Sequence, residues 1–168
     1  MSRAIPLLKE GDHEVANNDR PISLFPAASK VCERAALNQF TQFMKAKKRL
    51  TEHQSGNKAM HLTETMNVMM TDQMLQAKDD KKLTIAVLLD FSKAFDSIDH
   101  NKLLSKLKSL GTSSFAVDWF RSYLKDRRQY VHISSEHSTL CGLSHGAPQG
   151  STLGPALLLA SHSKAAHY

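Results

Sequence analysis

The sequence predicts an α+β layered domain, and three observations carry that reading. Apolar residues recur at helical spacing in several separate stretches, the run 83–89 is short, apolar and rich in β-formers, and 129–143 alternates apolar and polar residues around a serine-containing turn. Strands and helices mixed in this order, within 168 residues, suit one domain built of packed layers.

Residues 1–18 hold little pattern and are read as irregular. In 18–26 the prolines Pro21 and Pro26 forbid a helix and favour an extended segment. Ser29 is placed to cap a helix whose apolar face is Val31, Cys32, Ala35, Ala36, Phe40, Phe43 and Met44. The basic residues Lys45, Lys47, Lys48 and Arg49 close it, where cations complement the C-terminal dipole. Gln54, Ser55, Gly56 and Asn57 break the pattern, and a second helix is expected over 58–77. Its methionine stripe, Met66, Met69, Met70 and Met74, reads as a core face, the alternative being an adaptable docking face. A polar connector, 78–82, leads into 83–89, which reads as a central strand covered on both faces. Leu103, Leu104, Leu107 and Leu110 mark a helix stopped by Gly111. Another starts at Ser113 or Ser114 and carries Phe115, Ala116, Trp119, Phe120, Tyr123 and Leu124. A hairpin of 129–133 and 138–143 turns around Ser135 and Glu136, 146–151 is a turn, and a last helix covers 152–160.

Lys and Arg number 22 against 16 Asp and Glu, a net charge of +6 with His neutral, which favours a polyanionic partner without requiring one. The cations gather at 45–49, at Lys102, Lys106 and Lys108, and at Arg121, Lys125, Arg127 and Arg128. Solvated helix faces are the plain account of each cluster. Cys32 and Cys141 are far apart and lack metal-ligand spacing, which argues against a disulfide framework or a zinc site and suits an intracellular setting. No apolar run approaches a bilayer's thickness, and 1–10 lacks the pattern of a signal peptide, so no membrane is expected.

Asp90 draws attention because the apolar run ends on it and is followed at once by Ser92, Lys93, Asp96 and Asp99. An acid at the end of a buried strand faces either a ligand or the turn it caps, and both readings stand for Asp90. Asp96 and Asp99 read as solvated loop or helix-capping residues.

Five blocks in order, RPISLFPAASKVCER, QSGNKAMHLTET, LDFSKAFDSIDH, WFRSYLKDRRQYV and GAPQGSTLGP, resemble those of the reverse transcriptase of non-LTR (LINE-type) retrotransposons, particularly the Jockey and chicken-repeat-like branch. The resemblance implies a partial right-hand polymerase fold with no thumb. After an irregular 1–17 it has a fingers-like part over 18–80, the upstream palm over 81–155 and a divergent tail over 156–168. It implies an RNA-directed DNA polymerase, a nucleotidyltransferase using Mg2+, or Mn2+ in its place, with an RNA template, a DNA primer and deoxynucleoside triphosphates as partners. The nucleus is the compartment it suggests.

By that resemblance Asp90 is a catalytic metal ligand, with the backbone carbonyl of Phe91 beside it. Phe95 would pack against the sugar of the incoming nucleotide and exclude a 2′-hydroxyl. Gln149 and Gly150 form the second palm block, lying against the nascent base pair and the triphosphate. Arg20 and Lys30 would hold triphosphate oxygens, and Arg121, Lys125, Arg127 and Arg128 would follow the template-primer backbone.

The chain also departs from the family. The family's hairpin of Tyr or Phe, any residue, then Asp-Asp has no counterpart, since no Asp or Glu follows Glu136. The family's Gly-Phe-Arg reads Gly56-Asn57-Lys58, and 160–168 turns small and polar. A truncated or frame-disrupted copy is expected, inactive without a downstream palm and thumb. The alternatives are a non-catalytic nucleic-acid-binding remnant and a decayed reading frame.

Overall fold

A computed structural model describes residues 2–9, 11, 12, 14, 15, 18–50, 62–91 and 93–163. In chain order they form β1 (Ser2–Leu8), β2 (Asp19–Leu24), α1 (Ala27–Ala46), α2 (Thr63–Asp79), α3 (His100–Ser109), α4 (Ser114–Leu124), β3 (Arg128–Ile133), β4 (Glu136–His137), β5 (Cys141–Gly142) and α5 (Gly154–His162). The described residues thus mix one sheet with five helices, the expected α+β class. No described helix is long and apolar enough to cross a membrane.

The first difference from the sequence reading is at the N-terminus, where β1 replaces the expected irregular segment. It runs antiparallel to β2, with Ile5 opposite Ile22, and parallel to β3, with Ser2 opposite Gln129. Its second partner, β3, lies over a hundred residues away in sequence, so local pattern gave no sign of that pairing. Pro6 stands directly opposite Pro21, so two residues that cannot donate a hydrogen bond share one rung of the ladder. The strand order is β2-β1-β3-β4, with β5 also against β3. The hairpin turns through Ser134, at φ 53°, one residue earlier than expected, and its returning arm is broken into β4 and β5.

The core lies among the helices. Phe40 and Met44 of α1, Leu103, Leu104 and Leu107 of α3, Val117, Phe120 and Leu124 of α4, and Leu157 and Ala160 of α5 are all buried. Phe40 meets Phe120 edge to face at 5.3 Å, the geometry that aromatic quadrupoles favour. Helix α1 begins after Pro26 rather than at Ser29, because a proline's fixed φ suits a helix entrance and the Pro26 carbonyl accepts from the Lys30 amide. Ser113 and Asp99 do cap α4 and α3: each side chain accepts a backbone N–H, Ser113 from Ala116 and Asp99 from Lys102.

One buried carboxylate crosses this core. Glu33 of α1 accepts from the Tyr123 hydroxyl of α4 at 2.9 Å and from the Thr152 amide, just before α5, at 2.6 Å. Three elements therefore converge on one side chain that is only 2% exposed. Burial, with Glu33 alongside, holds the Tyr123 hydroxyl above the ordinary phenol range.

The expected central strand is not formed. Residues 83–89 adopt no regular structure and expose their apolar side chains, Leu83 at 88% and Leu88 at 89%. Strand conformation is held by a neighbouring ladder, and among the described residues no strand pairs with this run. The methionine stripe of α2 is corrected for the same reason. That helix buries no residue, because an apolar stripe is covered only where a second layer meets it, and 83–89 supplies none. The expected helix start at 58 and the break at 54–57 lie outside the described residues.

Leu107, fully buried, should lose about 2–5 kcal/mol of stability on replacement by alanine, whereas Leu88→Ser should change it by less than about 0.5 kcal/mol. Denaturant titration of the two variants distinguishes this packing from the sequence expectation, in which both leucines are core. A second outcome concerns pH. Hydrogen bonding to the Lys102 amide holds the Asp99 carboxyl below its ordinary value of 3.8. The cap is fully formed above that value and is lost as pH falls below it, so Asp99→Asn should flatten the acid limb of a melting-temperature profile in that range.

Candidate functional site

The site is built on a bend that three strand and loop backbones hold in place. The Gly146 amide donates to the Ile98 carbonyl at 2.7 Å and the Ala147 amide to that of Phe95 at 2.8 Å, lacing the bend to the turn that follows Asp90. On the other side the Ser23 amide of β2 donates to the Gln149 carbonyl at 2.8 Å. Gly150 then passes so close to β2 that an added Cβ would stand 2.9 Å from the Ser23 carbonyl oxygen, and its φ of +92° suits glycine alone. Ser151 accepts the Gly154 amide on its hydroxyl and so starts α5, where Pro155 occupies the first turn.

Beside this bend lies an open cleft of about 760 Å³. Asp90, Phe91, Phe95, Gln149, Gly150 and Arg20, all singled out from the sequence, line it together. They come from three separated stretches of chain: β2, the end of the exposed run with the turn after it, and the bend. Phe91 reaches α5, its ring 5.8 Å from that of His162. Phe95 is half-buried against the helical core and also faces the cleft. Lys30 is not among the lining residues; it is exposed on the first turn of α1.

Several lining residues escaped the sequence reading. Lys9, Asp19 and Lys93 bring further charges, so that three cations and three carboxylates surround the opening. Lys9 is delivered by the β1–β2 pairing, its amide donating to the Asn18 carbonyl. Lys93 begins the turn in a left-handed conformation, φ 58°, and its carbonyl accepts from both Asp96 and Ser97. Asp96 is a correction: it is half-buried rather than solvated, and both its carboxylate oxygens accept from the Gln149 amide nitrogen, at 3.0 and 3.2 Å. The signal that could have found it is its place six residues after Asp90, within the same block LDFSKAFDSIDH.

The basic cluster is less open than its sequence suggests. Arg127 lies over the rings of Phe25 and Tyr123, at 5.2 and 4.8 Å, and its guanidinium donates to the Tyr123 carbonyl. Arg121 pairs with Asp118 and Lys125 with Asp126, both on the surface, where such pairs exchange readily with other anions. Arg128 is exposed at the start of β3. Among the described residues no cluster of three or more metal-binding side chains exists. Asp90 with the Phe91 carbonyl is an oxygen donor set of the kind magnesium uses when phosphates supply its other ligands.

The chain matches the family described as reverse transcriptase (RNA-dependent DNA polymerase) over residues 7–163. It is 38% identical over 158 residues to a probable RNA-directed DNA polymerase from transposon BS of Drosophila melanogaster, covering 94% of this chain and 17% of that protein. Against a probable RNA-directed DNA polymerase from the X-element of the same fly it is 39% identical over 139 residues, 82% of this chain and 15% of the relative. Against the RNA-directed DNA polymerase from mobile element jockey it is 31% identical over 138 residues, again 82% and 15%. The chain therefore spans about a sixth of the length of these relatives.

Gly150→Ala should weaken folding by about 1–3 kcal/mol, since it combines a strained φ with a clash against β2. Thermal unfolding reads the loss, and the amide of Ser23 should exchange faster with deuterium as its acceptor moves away.

Proposed function

We propose that this chain, which belongs to the reverse transcriptase (RNA-dependent DNA polymerase) family, uses its cleft to hold a deoxynucleoside triphosphate for RNA-directed DNA synthesis in a non-LTR retrotransposon. The observation that carries the reading is the meeting of Asp90, Phe95, Gln149, Gly150 and Arg20 around one opening, although the sequence separates the outermost of them by 130 residues. In this reading 18–80 corresponds to fingers and 81–155 to part of a palm in a right-hand arrangement, and downstream palm and thumb segments complete the enzyme.

The chemistry assigned to each side chain follows from its type. Arg20, with Lys9 and Lys93 nearby, neutralises triphosphate oxygens, and its planar fork suits bidentate contact. The N-terminus of α5, opening beside Ser151 and Pro155, adds partial positive charge on the same side. Phe95 presents a ring edge where a ribose 2′-hydroxyl would need room. Gly150 leaves backbone exposed for close approach. Asp90 and the Phe91 carbonyl would hold Mg2+, or Mn2+, arriving with the triphosphate; the ion, when bound, neutralises charge developing on phosphate. Lys30, away from the opening, serves a longer-range electrostatic role at most. Template and primer would run past Arg121, Lys125 and Arg128, with Arg127 holding the strand start in place rather than touching phosphate.

Titrating dATP with magnesium into the chain tests the reading calorimetrically. One site should appear, weakened roughly ten-fold or more by Arg20→Ala and likewise by Asp90→Asn. ATP should bind more weakly than dATP to the wild type but equally well to Phe95→Val. Absence of binding, or variants indistinguishable from wild type, would overturn the assignment of this cleft.

A further inference from the structure

The contact between Asp96 and Gln149 does something that the surrounding backbone does not. The two loops that carry these residues are already tied by the Gly146 to Ile98 and Ala147 to Phe95 hydrogen bonds, and by His100 Nε2 against the Gly146 carbonyl at 2.9 Å. Gly146 packs against the Asp96 backbone itself, where a Cβ would stand 3.3 Å from the Asp96 Cα. The backbone that carries the carboxylate is thus held independently of the Gln149 side chain. Among the described residues Asp96 makes no ion pair, and its described side-chain hydrogen bonds come from the Gln149 amide nitrogen alone.

An ionised carboxylate only accepts hydrogen bonds, so only the NH2 side of the Gln149 amide can face it. That choice fixes the other half of the amide: the carbonyl Oε1 is turned away from Asp96. Gln149 stands in the wall shared by the 760 Å³ cleft and a smaller cavity of about 330 Å³, and Asp96 lines both.

We infer that Asp96 is a positioning residue of the cleft, whose carboxylate locks the Gln149 amide so that Oε1 is offered as an acceptor to a hydrogen-bond donor on the bound nucleotide. The inference rests on the nucleotide reading above and adds a residue to it. Without the carboxylate the amide can turn over and present either a donor or an acceptor, and the mismatched orientation leaves the ligand's own donor unpaired.

Two measurements on the 168-residue chain test it separately from the nucleotide reading. In nitrogen-edited NMR spectra the Gln149 side-chain NH2 should show one proton shifted downfield and slowed in exchange, and Asp96→Ala should return it to random-coil behaviour. Random-coil behaviour in the wild type overturns the lock. In magnesium-dATP titration Asp96→Ala should weaken binding about ten-fold. The isosteric Asp96→Asn should weaken it less, since two amides can pair in either orientation; it also serves where the alanine variant unfolds. The combination Asp96→Asn with Gln149→Glu reverses donor and acceptor within the pair yet still offers a carboxylate oxygen to the cleft, so affinity should recover. Undiminished affinity in both single variants, or no recovery in the combination, overturns the positioning role alone. A wild-type chain that does not bind dATP at all removes the nucleotide reading and this role with it, whatever the NMR shows.

Discussion

The cleft depends on the seating of one bend against one strand. Where Gln149 accepts from the Ser23 amide and Gly150 slides past the Ser23 carbonyl, the helical core that ends in α5 is brought against the edge of the sheet, and the acidic turn after Asp90 is carried with it through Phe95 and Ile98. A side chain at position 150 would push these layers apart at the place where they have to meet. Glycine here is required by distance and by conformation together, which is a stronger constraint than a turn alone imposes.

The sheet side of that contact is inexpensive in apolar surface. Its strands are short, several of their residues are half-exposed, and proline faces proline in the outer pair. The helical side carries the burial, with Leu103, Leu107, Leu153 and Leu157 among the side chains out of water. Glu33 stands within the helical side, satisfied by a hydroxyl and an amide, and it anchors Thr152 within two residues of Gly150. A buried acceptor of this kind specifies an arrangement more than it strengthens one, since both its partners must be in place for its burial to be tolerated.

Against this, α2 and the run 83–91 show what apolar pattern does without a counterpart. The run has the composition of an inner strand and the helix has a regular methionine stripe, yet neither is covered among the described residues. Hydrophobic pattern states which face wants burial, and a ladder or a second layer has to exist for the wish to be met. Asp90, at the end of that run, consequently enters the cleft from an exposed segment rather than from the end of a buried strand, and Phe91 against His162 is its described tether to α5.

Much of the local structure was legible in the order of residues. The extents of α3 and α4, their caps at Asp99 and Ser113, the hairpin and the bend at 146–151 follow from periodicity, capping chemistry and turn composition, all of which act within a few residues. The identities lining the cleft were legible only through the matched blocks, because acids, arginines and glycines have many structural uses when taken singly. What tertiary structure alone decided was pairing at long range: β1 with β3, Glu33 with Tyr123 and Thr152, Asp96 with Gln149, Arg127 over Phe25, and the absence of a described strand partner for 83–89. The physical reason is common to them all. A strand edge, a buried carboxylate or a carboxylate-amide contact is defined by a partner that chain folding brings near, and no spacing along the sequence encodes which distant residue that partner will be.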